Sequence, residues 1–247
     1  MTALFRSLIA IAIAVVAFTG AAQAQSFTPQ QRGEIETIIR DYFIKHPEMI
    51  EELQALAASE KAKRLIGENK DVLLHSPRQV TLGNPKGDVT MVEFFDYNCG
   101  YCKRALDDMM ALMKNDPNLR IVLKEMPVLN QGSMEAAQVS AALAMQDKSG
   151  KRYLDFHQKL LGTRGPVDKA RALAVAKEAD ADMARLEKDM TSPEVKTALE
   201  ESFKLAEAFN IQGTPSYVIG NEVLVGAVGL KELQGKINTA RCGKATC

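Results

Sequence analysis

The sequence predicts an α/β domain with an all-helical insertion, preceded by an N-terminal helical arm. A short apolar run at residues 91–95 has the length of a buried strand, and a second run at residues 119–125 alternates and is rich in branched residues. Between these runs, Cys99 and Cys102 form a C-x-x-C pair that opens a segment with helical spacing. Strand, helix and strand in this order predict a parallel pair of strands joined by a right-handed crossover.

The first residues have the pattern of an exported protein. Arg6 is followed by an apolar run at residues 8–18 and by small residues that end at Ala24. A basic start, a short apolar core and an A-x-A end are typical of a secretory signal, so we interpret residues 1–24 as a signal peptide that is cleaved after Ala24. The alternative is a membrane anchor, which needs roughly 20 apolar residues, more than this run contains. We therefore expect a periplasmic or otherwise exported protein.

The composition agrees with this location. All four cysteines follow the signal segment, and an exported compartment allows disulfides to persist. Basic and acidic residues both number 31, so the formal net charge is zero. Nothing in this balance favours nucleic acid or an anionic membrane surface as a partner.

Residues 25–75 are predicted to form the helical arm. Thr28 and Pro29 make a helix start, because threonine is a good cap and proline at the first position lacks only an N–H that would have no helical partner. Apolar residues then recur at helical spacing on both sides of a break at His46-Pro47. This apolar face either packs back onto the same chain or associates with other copies. We favour the second, a homo-oligomer formed through the arm, because the arm lies wholly upstream of the cysteine pair.

Residues 76–247 are predicted to form the main domain. Turn residues at 79–88 lead into it, and an insertion of three or four short helices occupies about residues 130–190. The later elements are a longer helix from Ser192-Pro193 to residue 209, a hairpin that turns at Gly220-Asn221, and a closing helix at residues 230–239.

The C-x-x-C pair predicts a redox site. Two sulfurs on one helical turn are close enough to form a disulfide, and the unpaired N–H groups at a helix start favour a thiolate on Cys99. Structural zinc is one alternative, but the other two cysteines lie far along the sequence and the histidines form no ligand pattern. A purely structural disulfide is another, although so short a loop restrains the unfolded chain little. We expect a Cys99-Cys102 pair that cycles between dithiol and disulfide, with no metal and no other cofactor.

Two motifs resemble the thioredoxin superfamily, and more closely its exported DsbA-like branch. They are residues 93–104 (EFFDYNCGYCKR) and residues 213–219 (GTPSYVI), with the helical insertion between them. The resemblance covers about residues 79–239. With the N-terminal helical extension, the chain is also similar to ScsC-like relatives, some of which are oligomeric isomerases.

The resemblance implies a role for each matching residue. Cys99 would be the attacking thiolate and Cys102 the buried resolving thiol. A cis bond before Pro215 would face the cysteines, and the backbone around Gly213 and Thr214 would offer hydrogen bonds to an extended substrate. The implied activity is thiol-disulfide exchange on protein substrates, as an oxidase or an isomerase, with a membrane redox partner that recharges the pair.

Further residues near the cysteines are candidates for the site. Glu93 matches the buried acid of the family and would relay the proton of the second cysteine, with its pKa raised by burial; the alternative is an exposed acid at a strand edge. Tyr97 and Tyr101 are expected to line a substrate groove, with simple packing as the alternative. The Gly100-Tyr101 pair departs from the Pro-His of the strongly oxidising members, so the acidity of the first cysteine stays open.

The last two cysteines, Cys242 and Cys247, follow the closing helix. Their spacing favours a structural disulfide that pins the C-terminus over a second active site. A function of another class would use the first pair: Cys99 and Cys102 would bind copper(I), a soft ion that thiolates suit, for delivery or tolerance. We favour the redox function because Pro215 is expected beside the same pair.

Overall fold

The computed structural model describes residues 27–147 and 149–247. The predicted signal peptide, residues 1–24, lies outside the described residues. The chain divides into two units with a boundary after Gln54, and each unit is described by itself. Among the helices of the described residues, none has both the length and the apolar character of a membrane span.

The first unit is helical. Helix α1 (Pro29–Lys45) begins where the sequence predicts, because the Thr28 hydroxyl accepts from the backbone N–H of Gln31 and the Gln31 side chain accepts from the N–H of Thr28. Helix α2 (Glu48–Glu68) follows after a two-residue break and continues past the boundary. Neither helix contains a buried residue. The exposed apolar side chains of this region are Phe27, Ile35, Ile38, Ile39, Tyr42, Ile44, Ile50, Leu53 and Leu56.

The second unit is built on a five-stranded sheet with the order β1-β3-β2-β4-β5. The strands are β1 (Val80–Gly83), β2 (Val89–Phe95), β3 (Leu119–Glu125), β4 (Ser216–Ile219) and β5 (Glu222–Val225). Strands β2 and β3 are parallel, and the other neighbours are antiparallel. The predicted parallel pair and the predicted hairpin are confirmed. Strand β1 is absent from the prediction. It is short, it lies among the turn residues of 79–88, and its partner, β3, lies far along the chain.

Helices surround the sheet. They are α3 (Lys70–Leu74), α4 (Gly100–Asn115), α5 (Gln131–Ala144), α6 (Lys151–Gly162), α7 (Lys169–Glu178), α8 (Met183–Asp189), α9 (Pro193–Ala208) and α10 (Leu230–Cys242). Helix α4 joins β2 to β3, and α5 to α8 are the predicted insertion, which is confirmed. Helix α10 extends beyond its predicted end at residue 239 and stops where Gly243 takes a left-handed conformation.

Both faces of the sheet are buried. Met91 and Ile121 lie in the larger apolar cluster, whereas their neighbours Val92 and Val122 lie in a second cluster with Leu73 of α3. Successive strand residues point to opposite faces, so a strand that is covered on both faces is apolar at nearly every position. This explains why residues 91–95 show an apolar run with no alternation.

Two cations of β3 interrupt the apolar pattern and bind the end of α3. The buried Lys124 donates from Nζ to the carbonyl oxygen of Val72 at 2.8 Å, and Arg120 donates to the carbonyl oxygen of Leu74. The last carbonyl groups of a helix have no helical partner and carry partial negative charge. Burial lowers the pKa of Lys124 to about 8. The two cations therefore fasten α3 to the centre of the sheet.

Candidate active site

The loop between β2 and α4 places Cys99 at the N-terminus of α4. The buried Asp96 holds this loop: its carbonyl oxygen accepts from the N–H of Cys99 at 3.0 Å, and its carboxylate accepts from the N–H of Asn98 at 2.8 Å. The same carboxylate accepts from the N–H groups of Val128 and Leu129 at 3.0 and 3.2 Å. A buried carboxylate with several N–H donors is well satisfied and fixes its neighbours. The cysteine loop is thereby tied to the segment after β3.

The two cysteines are free thiols in different surroundings. A hydrogen bond from Cys102, helped by N–H groups of the first helical turn, lowers the pKa of Cys99 to about 5, although burial opposes this shift. Cys102 is fully buried, and its hydrogen bond with Cys99 and its burial raise its pKa above the ordinary value. At neutral pH this arrangement favours a thiolate at Cys99 and a protonated thiol at Cys102.

The bond between Thr214 and Pro215 is cis, and it lies against the cysteine pair. The sulfur of Cys99 is 3.1 Å from the carbonyl oxygen of Thr214. The hydroxyl of Ser216 donates to the carbonyl oxygen of Gly213 at 2.7 Å and holds the loop in place. The structure thus places the backbone of Thr214 beside the sulfur of Cys99, where the resemblance puts it. Substrate binding by this backbone stays a prediction.

Glu93 is only 4% exposed and lies in the interior of β2, opposite Tyr217 of β4. Burial raises the pKa of Glu93 to about 8, and the charge of Asp108 acts in the same direction. Its Oε2 atom has no hydrogen-bond partner among the described residues. The alternative of an exposed acid at a strand edge is therefore wrong. The role of Glu93 in proton transfer stays a prediction.

The two tyrosines near the cysteines have opposite environments. Tyr101 is 58% exposed, and the guanidinium carbon of Arg104 lies 4.3 Å from its ring centroid. Tyr97 is 1% exposed and packs edge-on against Phe95, so the expectation that Tyr97 lines a substrate groove is wrong. A buried tyrosine needs an internal partner for its hydroxyl, and Tyr97 finds partners in the helical insertion.

These partners form a buried polar network that no sequence pattern signals. The hydroxyl of Tyr97 lies 3.0 Å from the hydroxyl of Ser140 and 3.2 Å from Nδ1 of His157. Ser140 and Tyr153 donate to the buried carboxylate of Glu125 at 2.8 and 3.0 Å. Burial raises the pKa of Glu125 and lowers that of His157 to about 3. The network joins the cysteine loop to β3, α5 and α6.

The second cysteine pair lies away from the first. Cys242 and Cys247 are joined by a disulfide and are exposed. The neighbouring Arg241 donates to the carboxylate of Asp116 at 2.8 Å, and Asp116 follows α4 at the end opposite to Cys99. The structure therefore does not bring the two pairs together. A role of the second disulfide in pinning the C-terminus stays a prediction.

Metal-ligating side chains do not gather around the first pair. Within residues 27–147 and 149–247, no group of three or more histidine, cysteine, aspartate or glutamate residues is arranged to hold a metal ion. The copper(I) alternative would therefore depend on the sulfurs of Cys99 and Cys102 alone. No observation favours that alternative.

Comparisons with solved structures agree with this geometry. A thioredoxin-like oxidoreductase from Silicibacter pomeroyi is 40% identical and superposes with a TM-score of 0.66, covering 70% of this chain and 98% of that one. A linker-deletion variant of Proteus mirabilis ScsC is 24% identical and superposes with a TM-score of 0.71, covering 90% of this chain and all of that one. At 24% identity, the likeness to ScsC shows that the two chains share a fold.

The sequence comparisons point the same way. The thiol:disulfide interchange protein DsbA of Bordetella pertussis is 26% identical over 146 residues, which are 58% of this chain and 68% of that protein. The Na⁺/H⁺ antiporter NhaA 1 of Salinispora arenicola is 22% identical over 193 residues, and the chain spans 29% of its length. The DSBA-like thioredoxin domain family matches residues 90–238, which include both motifs. The chain therefore belongs to the DSBA-like thioredoxin domain family.

Proposed function

We propose that this protein is an exported oxidoreductase that forms or isomerises disulfides in protein substrates through Cys99 and Cys102. The observation that carries the proposal is the position of the Cys99 sulfur. It lies at the start of α4, has a pKa lowered to about 5, and is 3.1 Å from the carbonyl oxygen of Thr214 beside a cis proline. A thiolate at neutral pH, next to backbone that an extended chain can pair with, is what disulfide exchange with a protein requires.

The exchange has two steps in the reductive direction. The thiolate of Cys99 attacks one sulfur of a substrate disulfide, forms a mixed disulfide, and expels the other substrate sulfur as a thiolate. The sulfur of Cys102 then attacks Cys99, forms the Cys99-Cys102 disulfide, and expels the second substrate sulfur. The substrate gains two electrons and the pair loses two. Oxidation of a substrate dithiol is the reverse sequence.

In the second step, we assign to Glu93 the removal of the proton from the buried thiol of Cys102. Cys102 must lose its proton before it attacks, yet burial and its hydrogen bond hold its pKa high. A carboxyl whose pKa is about 8 exchanges a proton readily near neutral pH. The unpartnered Oε2 of Glu93 leaves room to take that proton, directly or through a water molecule.

The location and the redox partner complete the proposal. We assign residues 1–24 to a signal peptide, so that the mature protein works in the periplasm or outside the cell. Such a protein needs a partner that restores the starting state of its cysteines after each cycle. We assign this role to a membrane redox partner.

The apolar face of the arm supports assembly into a homo-oligomer. Ile38 and Ile39 lie on this face and are 66% and 50% exposed, and neither α1 nor α2 contains a buried residue. An exposed apolar face of this kind is typical of a surface that another copy covers. Several active sites in one assembly suit the shuffling of wrong disulfides, whereas an oxidase needs one site.

Replacing Cys99 by serine is expected to reduce the rate of insulin reduction to the uncatalysed level, because serine forms no thiolate and no mixed disulfide. The double variant Cys242→Ser/Cys247→Ser is the control, since that pair lies at the other end of α4, and it is expected to keep the wild-type rate. More than a tenth of the wild-type rate in Cys99→Ser would contradict the proposal.

Replacing Glu93 by glutamine is expected to change the pH dependence of stability. The folded protein keeps the Glu93 proton up to about pH 8, whereas the unfolded chain loses it near 4.5, so this carboxyl makes the wild type less stable as the pH rises between these values. Relative to the wild type, Glu93→Gln should gain about 5 kcal/mol across that window. Urea unfolding of the reduced proteins measures this, with the exposed Asp107→Asn as control. Parallel curves for the wild type and Glu93→Gln would count against a raised pKa.

Replacing Ile38 and Ile39 by aspartate is expected to convert the oligomer into a monomer, because charges on the apolar face oppose its burial. Sedimentation or light scattering gives the size, and Arg40→Asp on the same helix is the control. We expect the monomer to retain insulin reduction and to lose most of its ability to reactivate scrambled ribonuclease. A wild type that is already monomeric would refute the assembly.

A further inference from the structure

Two arginines near Cys99 carry charges that the proposed function does not use. Arg104 lies in the second turn of α4, and Arg164 lies between α6 and α7; both are exposed. Among the described residues, neither has a carboxylate oxygen within 4.0 Å. The nearest acids along α4, Asp107 and Asp108, are one turn further from the reactive sulfur.

Hydrogen bonds fix the segment that carries Arg164 against the cysteine helix. Lys103 donates from Nζ to the carbonyl oxygen of Thr163 at 2.9 Å and to that of Gly165 at 3.5 Å. These carbonyls flank Arg164 on both sides, and Lys103 directly follows Cys102. The charge of Lys103 is thus directed to the loop, while Arg164, which lies between these two carbonyls in the chain, remains exposed.

Asn98 fastens the next part of the same segment. Its side chain donates to the carbonyl oxygen of Val167 at 2.8 Å and accepts from the N–H of Val167 at 2.7 Å. The acids of this region are bound elsewhere: Asp168 and Glu135 accept from backbone N–H groups in the first turn of α7, at 2.8 and 3.2 Å. Arg104 and Arg164 therefore keep guanidinium groups that no carboxylate of the described residues pairs with, on a protein whose net charge is zero.

Three exposed apolar side chains belong to the segments that adjoin the cysteine loop. Tyr101 is 58% exposed under the guanidinium of Arg104, and Val128 and Leu129 are 44% and 53% exposed. The backbone N–H groups of Val128 and Leu129 are bound by Asp96, which also holds the N–H of Cys99. The backbone that carries Val128 and Leu129 is therefore tied to the loop that carries Cys99.

We infer that this active-site rim, defined as Tyr101, Arg104, Val128, Leu129 and Arg164, selects protein segments that carry acidic and apolar residues next to their disulfide. The inference rests on the proposed function and names the substrate class of the same site. Guanidinium groups pair well with carboxylates, and opposite charges at a rim raise the rate of encounter. Exposed aromatic and aliphatic side chains supply the contact area that holds the segment.

Two peptides of equal length test the inference. Each contains one disulfide and one leucine, and the residues beside the cysteines are glutamate in one peptide and lysine in the other. Stopped-flow mixing with the reduced protein at low salt measures the rate of exchange with each. We expect the acidic peptide to react at least about 5-fold faster. Because the same thiolate attacks both peptides, the ratio of the two rates does not depend on the pKa of Cys99.

The variant Arg104→Glu/Arg164→Glu is expected to abolish or reverse this preference, and high salt should bring the wild-type ratio close to one. Lys114→Glu is the control, with a charge reversal at one position at the far end of α4, and it should keep the wild-type ratio. Equal rates for the two peptides at low salt, or a preference that survives in the double variant, would overturn the inference and leave the proposed function intact. No exchange with either peptide would overturn both.

Discussion

The position of Cys99 at the N-terminus of α4 is the constraint on which the rest of the site depends. It makes two chemically identical thiols unequal. Cys99 receives hydrogen bonds and is held as a thiolate, whereas Cys102 is buried one turn into the helix and keeps its proton. Thiol-disulfide exchange needs this difference in protonation, because one sulfur must attack the substrate first and the other must attack only in the second step.

Buried polar groups, more than the apolar core, hold that position. The carboxylate of Asp96 binds three backbone N–H groups around the cysteine loop. The hydroxyl of Tyr97 anchors the same loop in the network that ends at Glu125. A buried polar group without a hydrogen-bond partner destabilises the fold, whereas a fully hydrogen-bonded one restrains the groups bound to it. A loop that is bonded to such groups therefore moves little. Among the described residues, the side chains of Glu93 and Gln79 each keep a buried oxygen without a partner, and the role of Glu93 in proton transfer stays a proposal.

The parts of the fold that short-range patterns encode are predictable from the sequence. Strand β2, the helix start at Cys99, the insertion and the hairpin before α10 follow from periodicity, caps and turn residues. Strand β1 and the network around Tyr97 were not predictable, because their partners lie in distant segments. Tyr97 shows the difference well: its place near the cysteines suggested a groove, whereas Ser140 and His157, which keep it buried, are visible only in three dimensions.

The acidity of Cys99 is the property that the sequence left open and that the structure assigns. Titration of the reduced protein by thiolate absorbance near 240 nm measures it directly, with Cys99→Ser subtracted to isolate this sulfur. We predict a transition near pH 5, because the hydrogen bond from Cys102 and the N–H groups of the helix start lower this pKa. A transition near 8.5, the value of an ordinary cysteine, would contradict it, because Cys99 would then be mostly a thiol at neutral pH.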